Sequence, residues 1–211
     1  IAQQSELISS QNGLVINPQD SSTFNFSTTD FIAGNNIFIS IVNAVPDDDT
    51  TNNFSYKNIV GVSINEVRND IVINEIMYAP TSPQPEWIEI YNRSNKTIDI
   101  KNYKIADAAD TVKIISQSTI LSPNEFFVIA KDSIIFNYYN INSGYILSPF
   151  PTLNNTNDKV ILIDSLNRVI DSLFYSSTWG GSNNKSLERV DVTVSSTDSS
   201  NWKTSKSIFN A

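Results

Sequence analysis

The chain has 211 residues, 40% of them hydrophobic, and carries 22 acidic against 14 basic side chains for a net charge of -8. That length suits one large domain or two ordinary ones, and without a run of Lys and Arg the chain lacks what a nucleic acid or an anionic membrane surface requires. With no Cys and no His, disulfides, thiolate chemistry, Cys-based zinc sites and imidazole-dependent mechanisms are excluded, so any catalysis has to run on carboxylates, Lys or Tyr.

The first residue is Ile1 and the only Met is Met77, which reads as a processed product or a fragment. Strand signals then dominate in chain order. Apolar and polar residues alternate over 23–27 (TFNFS), 36–43 (NIFISIVN), 54–62, 71–78, 87–91, 102–105, 125–130, 159–164 and 168–175. β-Branched and aromatic side chains fill these runs, as a half-buried pleated surface prefers. Polar turn residues separate them, among them Pro46-Asp47, Ser94-Asn95, Pro123-Asn124 and Ser165 to Asn167. Strands at this spacing predict an all-β sandwich or barrel.

One stretch reads as helical, 132–139 (DSIIFNYY), with Asp132 or Ser133 as the cap of one or two turns that pack on the sandwich. A polar segment at 64–70 predicts a boundary between a part at 1–66 and a part at 70–211. The tail at 194–211 is Ser-rich, with Trp202 as its anchor. No apolar run reaches the roughly 18–20 residues of a membrane span, so no membrane insertion is expected.

Four groups of residues are candidates for a site. Glu75, Glu86 and Glu89 lie in or beside the strands at 71–78 and 87–91. They suit a carboxylate pair or a calcium site, against a reading as edge and surface groups. In the second strand Ile88 and Ile90 face the core, so Trp87, Glu89 and Tyr91 face the other way. Glu89 is then solvated or paired with a Lys such as Lys104 on a neighbouring strand. Trp87 and Tyr91, with Tyr78 or Tyr103, are either an exposed platform for sugar stacking or buried side chains. Asp47, Asp48 and Asp49, followed by Asn52 and Asn53, are either a hairpin turn or a weak calcium site on Asp47 and Asp49. Calcium is the only cofactor the residues suggest. Around Trp179, Gly180-Gly181 supports a turn with φ > 0, and Lys185, Glu188 and Arg189 read as a surface ion-pair cluster.

The runs "IVINEIMYAP", "EWIEIYNRSNKTIDIKNYKIAD", "ILSPNEFFVIAKD", "FPTLNNTNDKVILIDSLNRVIDSLFY", "WGGSNNKSLERVD" and "SSNWKTS" follow one another from about residue 70 to 204. In order and spacing they resemble the lamin-tail domain, in the form found in bacterial secreted and surface proteins. The resemblance implies an immunoglobulin-like β-sandwich that is not known as a catalytic fold. Upstream, "FIAGNNIFISIVNAVPDDDTTNNFSYKNIVGV" resembles the last strands of a bacterial adhesion-type Ig-like domain of the CARDB kind. This implies that residues 1–66 are the C-terminal part of such a domain. The expectation is a non-catalytic, extracellular Ig-like module of a larger secreted or cell-surface protein. It acts as spacer or tether, or binds a protein or polysaccharide, alongside other domains of the same polypeptide; an accessory substrate-holding domain of a secreted hydrolase or nuclease is the alternative. No heptad pattern accompanies the domain, which disfavours a filament role.

Overall fold

The computed structural model describes residues 7–13, 15–17, 19–28, 34–61, 67–113, 115–182 and 184–206. It divides into two compact units, Ile1–Gly61 and Val62–Ala211. In the described residues no helix is long and apolar enough to cross a membrane.

Among its described residues the first unit forms one hairpin, β1 (Gly34–Ile41) with β2 (Phe54–Gly61), antiparallel from Gly34↔Gly61 to Ile41↔Phe54. Strict alternation puts Ile37, Ile39, Ile41, Phe54 and Tyr56 on one face, each more than half exposed. The alternating run at 23–27 forms no strand, because alternation needs a partner to become a ladder. Phe24 and Phe26 are accordingly exposed.

The second unit is an all-β, immunoglobulin-like sandwich. Its strands are β3 (Ile71–Met77), β4 (Trp87–Asn92), β5 (Ile98–Asp99), β6 (Lys104–Ala106), β7 (Thr111–Lys113), β8 (Ile120–Leu121), β9 (Phe126–Ala130), β10 (Gly144–Leu147), β11 (Asn157–Ile163), β12 (Val169–Ser176), β13 (Leu187–Arg189) and β14 (Trp202–Thr204). Six form one sheet in the order β10-β9-β4-β3-β13-β14 and four form the other in the order β12-β11-β6-β7, with β5 and β8 as a separate pair. The pairings are antiparallel except that of β9 with β10.

The core lies between the two large sheets. Ile71, Ile73, Ile76, Ile88, Ile90 and Ile129 enter it from one side, and Ile105, Val160, Leu162, Leu173 and Tyr175 from the other. β3 does not alternate regularly. Its register with β4 shifts between Ile73 and Glu75, so Asn74 is an extra residue in the ladder. The bulge resets the pleat. Ile71 and Ile73 before it and Ile76 after it all reach the core, while Glu75 and Met77 turn to the outer face.

That outer face is partly roofed. Met77, Trp87, Val128 and Ala130 of the sheet pack against Ile135 and Tyr139 from the connection that follows β9. The connection makes a 3-10 turn, Ser133–Asn137, whose cap Asp132 accepts from the Ile134 N–H at 2.8 Å.

Candidate functional site: a carboxylate row beside a groove

The outer face of the six-stranded sheet carries three glutamates in one lateral row. Glu75 pairs in register with Glu89 on β4 and with Glu188 on β13. Directly opposed side chains on neighbouring strands stand only about 5 Å apart, where like charges repel. Glu75 and Glu89 are each 5% exposed, whereas Glu188 is open to solvent. The Ser186 hydroxyl donates to Glu75 Oε1, and Asn74 Nδ2 donates to Glu89 Oε1 at 2.8 Å.

Burial is the main cause that pushes the Glu75 carboxyl up to about 8; the Ser186 hydrogen bond opposes it, and the Glu89 and Glu188 charges add to it. Glu89 is raised by the same burial, with Asn74 opposing and Glu188 adding. Both carboxyls are thus driven toward the neutral form.

The row opens onto a groove of about 870 Å³ that includes Asn74, Phe126, Phe127 and Gly144 in its lining. Gly144 faces the Phe127 ring, and a Cβ there would come within 2.7 Å of it, so the groove wall at this point is bare backbone. Tyr91 stacks on Phe126 at the same end, ring centroids 4.5 Å apart, and its hydroxyl donates to Asn124 Oδ1 at 2.9 Å.

Several sequence expectations are corrected here. Trp87 is no exposed platform. It is fully buried, edge-on to Tyr139 with centroids 5.1 Å apart, because the 132–141 connection roofs it. Glu75 and Glu89 are not edge or surface groups, because β3 and β4 are interior strands of the sheet. Glu89 does not pair with Lys104, which sits on β6 in the other sheet and donates to Asn167. Of the trio Trp87, Glu89 and Tyr91, Glu89 lines the groove, and Tyr91 meets it only through Phe126, on which it stacks. Glu86 lies apart from the row: it is 9% exposed, its Oε1 accepts from the Leu153 N–H at 3.1 Å, and its buried Oε2 has no hydrogen-bond partner.

Arg189 is no surface charge either. It is 6% exposed and reaches Asp171 of the opposite sheet. Gly180 and Gly181 do take positive φ, at 129° and 68°, and the Tyr78 hydroxyl donates to the Gly180 carbonyl at 2.6 Å.

Asp47 and Asp49 lie in the β1–β2 loop. Asp47 accepts from the Asp49 N–H at 3.1 Å and from the Asn53 side chain. Asp49 accepts from Thr51 N–H at 3.0 Å and from its hydroxyl, capping the 3-10 turn Thr50–Asn52. Among the described residues, no three His, Cys, Asp or Glu side chains gather as a metal site.

Sequence reasoning missed Ser186 and Glu188 as neighbours of Glu75. The core-facing positions of IVINEIMY, Ile71, Ile73, Ile76 and Tyr78, run two, three, two apart, but Val72 and Met77 are apolar too, so the bulge that turns Glu75 outward shows only in the ladder.

The comparisons agree with this architecture. A family model for the lamin tail domain matches residues 65–177. No curated protein matches the chain. The matched range ends just after β12, yet β13 and β14 beyond it complete the six-stranded sheet. The match spans more than half of the 211 residues, and the chain belongs to the lamin tail domain family.

Proposed function

We propose that the chain is a non-catalytic, extracellular module of a larger secreted or cell-surface bacterial protein, and that its sandwich holds a protein or polysaccharide partner in the groove beside Glu89 and Phe126. The observation that carries this reading is the groove itself: an open channel on a rigid sheet, with stacked aromatic rings and side-chain amides at hand. The N-terminal hairpin fits the end of a CARDB-like domain, which would act as the neighbouring spacer.

The carboxylates support binding rather than hydrolysis. Glu75 and Glu89 are each tied by a hydrogen bond within the sheet, from Ser186 and from Asn74, and Glu188 is the open carboxylate of the row. The family's Ig-like fold is also generally non-catalytic, and its loops and faces are where such modules bind.

A thermal-shift panel with soluble polysaccharides and candidate surface proteins tests the proposal. A partner at about 100 times its Kd stabilises by roughly 2.7 kcal/mol, or about 5–11 °C for a chain of this size. The shift is expected to vanish in Phe126→Ala, with the unliganded Tm little changed. No shift with any partner reduces the role to that of a spacer.

A further inference from the structure

The C-terminal ribbon is attached to the sandwich through few rungs. β13 meets β3 in register at only two positions, Leu187↔Ile76 and Glu188↔Glu75. β14 then pairs with β13 alone, from Leu187↔Thr204 to Arg189↔Trp202. One of the two backbone rungs between β3 and the ribbon therefore consists of two glutamates, and the hydroxyl beside it, Ser186, donates to the same Glu75 carboxyl.

We propose that the Glu89–Glu75–Glu188 row is a proton-operated latch: with Glu75 protonated the β13–β14 ribbon closes on β3, and with Glu75 ionised the ribbon opens.

The charged surroundings of Glu75 leave ionisation uncompensated. β4 presents Glu89 and β13 presents Glu188. The covering connection presents the Tyr139 phenol, itself raised to about 12 by burial, opposed by its Gln84 hydrogen bond. Lys203 on β14 stands opposite Glu188, one strand further from Glu75. Among the described residues no Lys or Arg forms an ion pair with any of the three glutamates. Ionised Glu75 then stands between two carboxylates at cross-strand distance, where like charges destabilise the pairing. Because Glu75 holds its proton up to about pH 8 in the closed sheet, the closed ribbon loses its advantage as pH rises toward that value.

The strands on the other side are better anchored. β3 and β4 share six paired positions and β4 and β9 five, so a repelling row yields first at its two-rung side, working against the ribbon's side-chain ties, Arg189 to Ile73 and Asp171 and Trp202 in the core. Opening also uncovers Trp202, which is 3% exposed in the closed ribbon. The latch operates whatever the groove binds, because both arms of its test are read without a partner.

Hydrogen exchange of the full chain, followed by mass spectrometry from about pH 6.5 to about pH 9.5 and corrected for intrinsic rates, is the test. Protection over 186–206 is expected to fall at least about tenfold through the transition in the wild type, while β4 and β9 hold theirs. Glu75→Gln is expected to keep the ribbon protected throughout, and Glu188→Gln, which removes one of the two repelling charges, to lose less protection than the wild type. Wild-type protection that stays flat with pH, or that falls equally in Glu75→Gln, overturns the latch. If Glu75→Gln does not fold, Glu188→Gln decides alone, since an undiminished loss of protection is incompatible with the row.

Discussion

Arg189 and Asp171 meet across the two sheets of the sandwich, Nη1 3.6 Å from Oδ2, with side chains 1% and 3% exposed. Their roles extend beyond the pair. Asp171 accepts from the Ile73 N–H at 2.9 Å and from the Ser196 hydroxyl. Arg189 donates to the Ile73 carbonyl at 2.9 Å, to the Val194 carbonyl at 3.0 Å and to Ser196 Oγ at 2.7 Å, and lies over the Trp202 ring. Burial lowers the Arg189 pKa, and Asp171 opposes that shift.

Removing one partner of such a pair leaves a buried charge without compensation, at about 3–5 kcal/mol. Asp171→Ala and Arg189→Met are each expected to lose that much in urea unfolding. The double variant is expected to lose less than the sum, because neither charge is then stranded. Full additivity would show that the two residues act separately.

Glu75 makes stability depend on pH with a defined sign. Its carboxyl binds a proton more tightly in the folded sheet, with a pKa of about 8, than in the unfolded chain at 4.5. Its contribution to stability is therefore fully present below about pH 4.5, declines as pH rises, and is gone above about pH 8. Relative to the wild type, Glu75→Gln is expected to be of similar stability near pH 4.5 and more stable by a few kcal/mol near pH 8. Urea midpoints measured across this range check it, and parallel curves for the two proteins reject it.

The architecture was legible where strands are long. The alternation at 71–78, 87–91, 125–130, 159–164 and 168–175 corresponds to β3, β4, β9, β11 and β12 to within about two residues. The short strands β5, β7, β8, β10, β13 and β14 hold two to four residues each, too few for a period of two to register. The Asp132 cap was legible because capping is local chemistry. Burial of Trp87 against the connection after β9 was one of the two readings the sequence offered; burial of Glu89 was not legible, because the alternation names a face and says nothing of what covers it. The Asp171–Arg189 pair was hidden for a different reason: it joins two sheets, and no spacing along the chain reports a contact between layers.

Trp87 separates stability from binding. Its ring is fully buried among Met77, Val128, Ile135 and Tyr139, on the same outer face as the groove but under the roof of the 132–141 connection. Trp87→Ala is expected to cost about 3–5 kcal/mol, as large aromatic truncations in a packed cluster do. Trp87→Phe, which keeps most of the volume, is expected to leave the partner-induced thermal shift intact. Loss of that shift in Trp87→Phe, at unchanged unliganded stability, would place the binding surface under the roof instead of in the groove.

The aspartate loop of the first unit can be decided by calcium alone. Asp47 and Asp49 already accept from the Asp49 and Thr51 N–H groups, the Thr51 hydroxyl and the Asn53 amide. These bonds close the loop between β1 and β2 and hold the Asp49 pKa below the usual carboxylate range. A cation needing six to eight oxygen ligands must displace these donors and recruit oxygens from elsewhere. The expected result of adding millimolar Ca²⁺ against EDTA is a change in unfolding temperature below about 1 °C. A larger shift that Asp47→Asn abolishes would make the loop a metal site, with the observed hydrogen bonds as its cation-free state.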